Sequence, residues 1–239
     1  MHAAQAGTDR MGRIYAIGDI HGRLDLLERA IVAIGRDIDK RGPAELTLTL
    51  GDYIDRGPSS SGVIERLLAN PFPTPHVALK GNHEQVLEQF LVDPRILDEW
   101  RGGGALETLH SYGVPVADAM MGRNYDAASK ALAEALPAAH RDFIAGLKTS
   151  YVTDRYFFCH AGVRPGIPFA EQSDNDLMWI RHEFLSSDED FGRRVIHGHT
   201  PVAEPDVRPN RINIDTGAFV SGRLTCIALE DAGYRFLKV

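Results

Sequence analysis

The sequence predicts an α/β fold, because apolar runs that suit buried strands alternate with helical patterns, and short polar motifs flanked by glycine lie between them. Strands are predicted at 13–17, 46–50 and 76–79. Helices are predicted at 24–34, at 58–69 and from 84 to 91. This alternation places the polar motifs at the carboxyl ends of strands, where open sheets usually carry their sites.

The rest of the chain is predicted as a helical region followed by strands. Residues 93–147 follow a helical pattern, broken at Gly102, Gly103 and Gly104, and contain none of the polar motifs. We interpret this region as a helical insertion beside the site. Further strands are predicted as a hairpin within 151–159 and as single strands at 212–214, 224–229 and 234–238.

The composition is that of an ordinary globular protein. A single domain over 13–239, preceded by a flexible N-terminal segment at 1–12, is expected for 239 residues of which 44% are hydrophobic. The net charge of −7 argues against nucleic acid as a partner. No apolar run in the sequence approaches the roughly 18 residues that span a membrane. The two cysteines give no disulfide framework, and we expect a cytoplasmic protein with no membrane partner.

Five short motifs place Asp, Asn or His beside glycine. They are Gly-Asp-Ile-His-Gly at 18–22, Gly-Asp-Tyr-Ile-Asp-Arg-Gly at 51–57, Gly-Asn-His-Glu at 81–84, Cys-His-Ala-Gly at 159–162 and Gly-His-Thr at 198–200. One such motif alone is equally typical of a turn. Together they predict a two-metal hydrolytic site, since imidazole, carboxylate and carboxamide groups are good ligands for divalent metals.

Spacing and donor type refine this prediction. Asp19 and His21 are two residues apart, so an extended backbone lets both face one side and share a metal. Asp52 could bridge two ions through its two carboxylate oxygens. An Asn ligand among oxygen and nitrogen donors favours manganese first, with iron or zinc as alternatives, over a structural zinc site built on thiolates.

The order of the first three motifs resembles the signature of the phosphoprotein phosphatase family within the calcineurin-like metallophosphoesterases. The subgroup that it resembles contains bacterial and phage enzymes similar to lambda phage protein phosphatase. The resemblance implies two facing mixed β-sheets flanked by helices. It also implies a first metal held by Asp19, His21 and Asp52, and a second held by Asp52, Asn82, His160 and His199.

The same resemblance implies roles for four further residues. His83 is expected to be the general acid that protonates the leaving group, and Asp55 to hold its imidazole. Arg56 and Arg181 are expected to bind the phosphate oxygens. A plain turn carboxylate at Asp55 and a surface arginine at Arg181 stay open as alternatives.

The other histidines carry weaker signals. In an extended strand His197 would point the same way as His199, but a supporting or merely packed His197 is favoured. Four histidines lack any partner motif and are expected to be solvated or capping residues: His76, His110, His140 and His182.

The predicted function is a serine/threonine protein phosphatase that also accepts phosphotyrosine, with a phosphorylated protein or peptide as substrate. The alternative is a symmetrical dinucleoside tetraphosphate hydrolase. The resemblance implies that this relative usually has Asp after Gly-Asn-His, whereas this chain has Glu84, and that it lacks the Asp55-Arg56-Gly57 form of the second motif. A non-catalytic binding module is a third reading, and it would be signalled by a lost ligand; none is lost.

Overall fold

Two five-stranded mixed sheets form the centre of the protein, as described for residues 12–239 by a computed structural model. The strands are β1 (Ile14–Ile17), β2 (Leu46–Thr49), β3 (His76–Ala78), β4 (Ser150–Val152), β5 (Tyr156–Cys159), β6 (Arg194–His197), β7 (Asp206–Val207), β8 (Arg211–Asn213), β9 (Cys226–Glu230) and β10 (Gly233–Leu237). The predicted flexible segment 1–12 lies, apart from Gly12, outside the described residues.

The helices lie between and after these strands. They are α1 (Leu24–Arg41), α2 (Ser60–Leu68), α3 (Asn82–Val92), α4 (Leu97–Trp100), α5 (Ala105–Ser111), α6 (Ala117–Met120), α7 (Tyr125–Ala135), α8 (Ala138–Ala145), α9 (Asp174–Trp179), α10 (His182–Leu185) and α11 (Ala218–Ser221). Within the described part of the chain, no helix is long and apolar enough to cross a membrane.

Both sheets combine parallel and antiparallel strands: the first is antiparallel only on its β9 and β10 side, and the second is antiparallel at both edges. The first sheet has the order β10-β9-β1-β2-β3, in which β1, β2 and β3 are parallel. The second has the order β4-β5-β6-β8-β7, in which β5, β6 and β8 are parallel. The parallel strands of both sheets are followed by the polar motifs, so the motifs collect where the carboxyl ends of these strands meet.

The alternation of side chains along β1 shows how the layers pack. Ile14 and Ala16 belong to the buried cluster that joins the two sheets, together with Phe158 and Ile196 of the second sheet. Tyr15 and Ile17, on the opposite face of β1, belong instead to the buried cluster that the sheet shares with the helices. A period of two along a strand thus supplies both faces of a buried sheet. The predicted α/β fold of two mixed sheets flanked by helices is confirmed.

Several element boundaries differ from the sequence predictions. Helix α1 continues to Arg41, seven residues past its predicted end, and stops where Gly42 takes a φ of 87°. Helix α3 begins at Asn82 because Glu84 accepts the Gly81 N–H at its first turn. Helices α9, α10 and α11 are additional to the predictions. The division into one domain with an inserted helical region stays a prediction.

Candidate metal centre

The structure brings all six predicted metal ligands to one edge of the two sheets. Four follow β1, β2 and β3 of the first sheet, and two follow β5 and β6 of the second. All six are buried: Asp19, His21, Asp52, Asn82, His160 and His199. Side chains from both sheets therefore meet in one polar cluster.

Four of these side chains form a compact group of donors. Asn82 Oδ1 lies 3.0 Å from His160 Nε2 and 2.9 Å from His199 Nδ1. The two imidazole nitrogens lie 3.2 Å apart, and Asp52 Oδ1 lies 3.4 Å from His160 Nε2. These are distances between atoms that would share one cation, and the group matches the predicted second-metal ligand set.

The other side of Asp52 faces a second group. Asp52 Oδ2 lies 3.4 Å from His21 Nε2, so the two oxygens of this carboxylate face different histidines. Asp19 Oδ2 accepts the His199 N–H at 3.0 Å. Its Oδ1 is buried and has no hydrogen-bond partner among the described residues. Asp52 thus lies between two groups of donors, and the assignment of Asp19, His21 and Asp52 to a first metal stays a prediction.

The histidines are oriented and kept neutral by their surroundings. His21 Nδ1 lies 2.9 Å from the Ile54 carbonyl and His160 Nδ1 lies 3.0 Å from the Leu50 carbonyl, so each Nε2 points at Asp52. Burial lowers the pKa of His21 to about 4 and that of His199 to about 2. A neutral imidazole offers the lone pair that a metal ion requires.

These observations fit a pair of divalent cations. Mixed nitrogen and oxygen donors suit first-row divalent metals, and an unpaired buried carboxylate oxygen is costly unless a cation or donor meets it. Two groups of three could each hold an ion: His21, Asp52 and His83, and Asp52, His160 and His199. His83 thus lies close enough to be counted with the first group.

The backbone at the site has an unusual conformation. Seven non-glycine residues in the range 12–239 have positive φ, and five of them are predicted site residues: His21, Asp52, Asp55, Arg56 and His199. Such conformations are uncommon for L-residues and concentrate at functional sites. Gly198 serves differently, by close approach, since a Cβ there would lie 2.0 Å from Asp19 Oδ1.

His83 and Asp55 form a buried pair beside the cluster. His83 Nδ1 lies 2.5 Å from Asp55 Oδ2, and its Nε2 lies 3.7 Å from Asp52 Oδ2. Burial opposes the imidazolium charge, but the Asp52 and Asp55 carboxylates outweigh it and raise the pKa of His83 to about 9. The pair has the geometry of an oriented proton donor, and the alternative of a plain turn carboxylate at Asp55 is wrong because Asp55 is fully buried.

The two predicted phosphate arginines lie at the mouth of the cluster. Both side chains are exposed. The Arg56 guanidinium lies 4.5 Å over the ring of Phe219, whose edge in turn meets His21. Arg181 Nε donates to His199 Nε2 at 2.9 Å. Each guanidinium thus lies beside one of the two donor groups.

Four residues at the site were missed or undervalued by sequence reasoning. Asp215 is buried beside Asp19, and burial raises its pKa to about 6. Its motif, Asn-Ile-Asp-Thr-Gly at 213–217, places an Asp near a glycine after a strand, as the earlier motifs do, and this was the available signal. Phe219, Trp100 and Thr108 carry apolar or hydroxyl side chains that no ligand pattern singles out.

The remaining histidines are mostly structural. His197 packs edge-on against Phe184 with ring centroids 4.9 Å apart, and burial lowers its pKa to about 3. Its Nδ1 lies 3.1 Å from the Gly198 carbonyl oxygen, and the backbone turns after β6, where His199 has a φ of 66°. The expectation of a solvated or capping residue is wrong for His140, which is buried between Tyr112 and Glu65.

Comparison with known proteins identifies the family. The sequence model of the calcineurin-like phosphoesterases matches residues 12–222. The chain therefore belongs to the calcineurin-like phosphoesterase family, and it is a phosphoesterase hydrolase.

Individual relatives carry two kinds of name. Serine/threonine-protein phosphatase 2 of Salmonella typhimurium is 27% identical, over 95% of this chain and 97% of that protein. The asymmetrical bis(5'-nucleosyl)-tetraphosphatase PrpE of Halalkalibacterium halodurans is 25% identical, over 90% of this chain and 89% of that protein. A solved structure described as a proposed diadenosine tetraphosphatase superposes with a TM-score of 0.65 at 19% identity, covering 95% of this chain and 93% of that one. This last likeness concerns the fold alone.

Proposed function

We propose that this phosphoesterase is a serine/threonine protein phosphatase that also accepts phosphotyrosine. The observation that carries the proposal is a buried His83–Asp55 pair directly beside Asp52, whose two oxygens face two separate groups of metal-type donors. Manganese is the ion that we expect in both groups. A cytoplasmic location is part of the same proposal.

The chain's own residues divide the work of hydrolysis. The bond between phosphorus and the leaving oxygen breaks, water supplies the new oxygen on phosphorus, and the departing oxygen takes a proton from His83 Nε2. Asp55 keeps the other ring nitrogen, Nδ1, turned away from the substrate. Bound divalent ions would supply a water of lowered pKa and neutralise charge on the phosphoryl oxygens.

The two arginines would hold the phosphoryl group from opposite sides. A guanidinium presents a planar fork of N–H donors that matches two phosphate oxygens. Arg56 and Arg181 are both exposed and lie beside different donor groups, so a phosphoryl group over Asp52 lies between them.

The choice of a protein substrate rests on the second and third motifs. Asp55, Arg56 and Glu84 follow the pattern that the phosphoprotein phosphatase resemblance implies. The relative from Salmonella typhimurium that bears a protein phosphatase name aligns over nearly its whole length. The Glu84 carboxylate is fully buried and accepts the backbone N–H groups of Asp52 and Tyr53. Glu84 therefore supports this choice only by shaping the loop after β2.

Hydrolysis of dinucleoside tetraphosphates is the second candidate. Relatives with that name align over most of the chain. Trp179 also offers a ring at the rim: it is 39% exposed, and its ring centroid lies 6.3 Å from that of His199. An exposed aromatic face beside a phosphate site suits the stacking of a nucleobase.

A side-by-side assay of the manganese-loaded protein separates the candidates. We expect kcat/KM for a phosphoserine or phosphothreonine peptide to exceed that for diadenosine tetraphosphate, with a phosphotyrosine peptide also hydrolysed. A preference for the dinucleotide by tenfold, about 1.4 kcal/mol of transition-state discrimination, would reverse the choice. In that case Trp179→Leu should reduce dinucleotide turnover more than aryl phosphate turnover, and the products would distinguish symmetrical from asymmetrical cleavage.

A further inference from the structure

Asp55 is fully buried and, besides a hydrogen bond from its N–H to Ser60 Oγ at 3.0 Å, forms hydrogen bonds with residues far from it in the sequence. Its Oδ2 accepts from Trp100 Nε1 at 2.6 Å as well as from His83, and its Oδ1 accepts from Thr108 Oγ1 at 2.5 Å. The Asp55 N–H donates to the same Thr108 hydroxyl at 2.8 Å. Thr108 therefore fixes both the backbone and the side chain of this residue.

Both supporting residues come from the helical region 93–147. Trp100 ends α4 and Thr108 lies in α5, and both are buried. The Trp100 ring packs against Phe90 of α3, with ring centroids 5.2 Å apart. His83 lies in the first turn of α3. Trp100 therefore contacts both the helix that carries His83 and the Asp55 carboxylate that His83 contacts.

The same region also holds the neighbouring arginine. The Arg56 N–H donates to the Gly104 carbonyl at 3.2 Å, and Gly104 itself has a φ of 102°. A Cβ at Gly104 would lie 2.4 Å from the Arg56 nitrogen, so only glycine permits this approach. The left-handed backbone at Asp55 and Arg56 is thus stabilised by contacts from 100–108.

We propose that Trp100 and Thr108 are positioning residues for leaving-group protonation, acting on His83 through Asp55. The inference rests on the proposed role of His83 as proton donor. Without the two hydrogen bonds the Asp55 carboxylate can rotate, and the imidazole loses the partner that aims its Nε2 at the substrate. Orienting groups of this kind typically affect activity by about 10–100-fold.

The test compares substrates that need the proton with substrates that do not. Trp100→Phe removes one N–H while keeping a ring against Phe90, and Thr108→Val removes the hydroxyl at nearly constant volume. Each variant should lower kcat for phenyl phosphate by about tenfold or more, and change kcat for 4-nitrophenyl phosphate by less than about twofold. KM and bound manganese should not change.

A double-mutant comparison shows whether the effect passes through the histidine. In a His83→Asn background, adding Trp100→Phe should cause no further loss on phenyl phosphate, since residues that act as one unit are not additive. Thr108→Ser, which keeps the hydroxyl, should restore wild-type behaviour. Thr74→Val removes a buried hydroxyl that hydrogen-bonds to Thr47 Oγ1 at 2.7 Å, and serves as the matched control.

The outcomes separate this inference from the proposed function. An equal loss on both aryl phosphates, or an undiminished further loss in the His83→Asn background, would make Trp100 and Thr108 merely structural. If His83→Asn itself shows no dependence on the leaving group, the proposed mechanism fails instead. A poor result on phosphopeptides alone would overturn the substrate class and leave the positioning role intact.

Discussion

The Asp52 N–H donates a hydrogen bond to Glu84 Oε2 at 3.0 Å, which ties the shared carboxylate residue of the site to the first turn of α3. The same carboxylate accepts the N–H groups of Gly81 at 2.9 Å and Tyr53 at 2.8 Å. Glu84 is fully buried, and burial raises its pKa to about 7. One side chain therefore joins the loop after β2 to the helix that begins with Asn82.

Replacing Glu84 with glutamine should destabilise the protein. The glutamine amide presents N–H groups to backbone donors and leaves at least one buried N–H without an acceptor, at a cost of about 1–3 kcal/mol. Urea unfolding of the metal-free protein measures the change in the free energy of unfolding. Glu99→Gln, at an exposed position, is the control and should stay within about 0.5 kcal/mol of wild type. Equal stability of the two variants would contradict the proposed tie.

Removal of divalent metal should abolish hydrolysis, and Mn²⁺ should restore it better than Mg²⁺, because imidazole donors favour the softer ion. Binding should also raise the melting temperature, since an ion held at a hundredfold excess over its Kd stabilises the fold by about 2.7 kcal/mol. Asp52→Asn should lose most of this stabilisation because Asp52 faces both donor groups. Full turnover by protein shown to be metal-free would refute the site assignment.

Arg56→Ala should weaken vanadate binding and raise KM roughly tenfold or more, since hydrogen bonds to charged groups contribute about 1.5–3 kcal/mol. Bound metal should be unchanged, because the guanidinium lies over Phe219 and outside the donor groups. Phe219→Leu should act in the same direction but less, in line with the roughly 0.5–1 kcal/mol of an exposed cation–π contact. Loss of a metal ion from Arg56→Ala would instead make this arginine structural.

Stability should depend on Asp37 at neutral pH and not at low pH. Burial alone would raise the pKa of Asp37, but hydrogen bonds from Arg235 and Tyr15 outweigh it and hold the pKa below its usual range. A lowered pKa in the folded state stabilises the protein above the unfolded value near 3.8, and this contribution is lost as pH falls through the folded value.

Asp37→Asn should therefore lower the melting temperature at pH 7, and the difference from wild type should shrink below about pH 4. Asp39→Asn, exposed on the same helix, is the matched control. A difference that stays constant from pH 7 to pH 3 would show that packing, not charge, makes Asp37 important.

Much of the fold could be predicted from periodicity, because β1, β2 and β3 are short apolar runs followed by turn residues. The helical region 93–147 was also predicted, but its contacts were not. Trp100 and Thr108 reach Asp55 across 45 and 53 residues of sequence. A tryptophan N–H and a threonine hydroxyl carry no pattern that distinguishes a catalytic support from a core residue, so only the tertiary arrangement reveals them.

The candidate ligands were predictable for a different reason. Asp19, Asn82 and His160 each lie in a short glycine-containing motif that follows a strand, and this local signal survives without knowledge of the fold. Asp215 stands in a similar setting but was not among the predicted ligands. The environment of His197 was harder to predict, because it packs against Phe184, which no local pattern places beside it. The local sequence pattern thus identifies candidate ligands, whereas the tertiary arrangement decides which of them lie close together.

Five site residues have a left-handed backbone conformation that lowers the stability of the fold: His21, Asp52, Asp55, Arg56 and His199. A non-glycine residue in that conformation costs roughly 1–2 kcal/mol, and glycine would relieve much of it. In the metal-free protein, selection for thermal stability alone would therefore favour glycine at these positions. Laboratory evolution of a more stable variant should keep the metal bound and use activity as a second criterion, since glycine at these positions would remove side chains of the site.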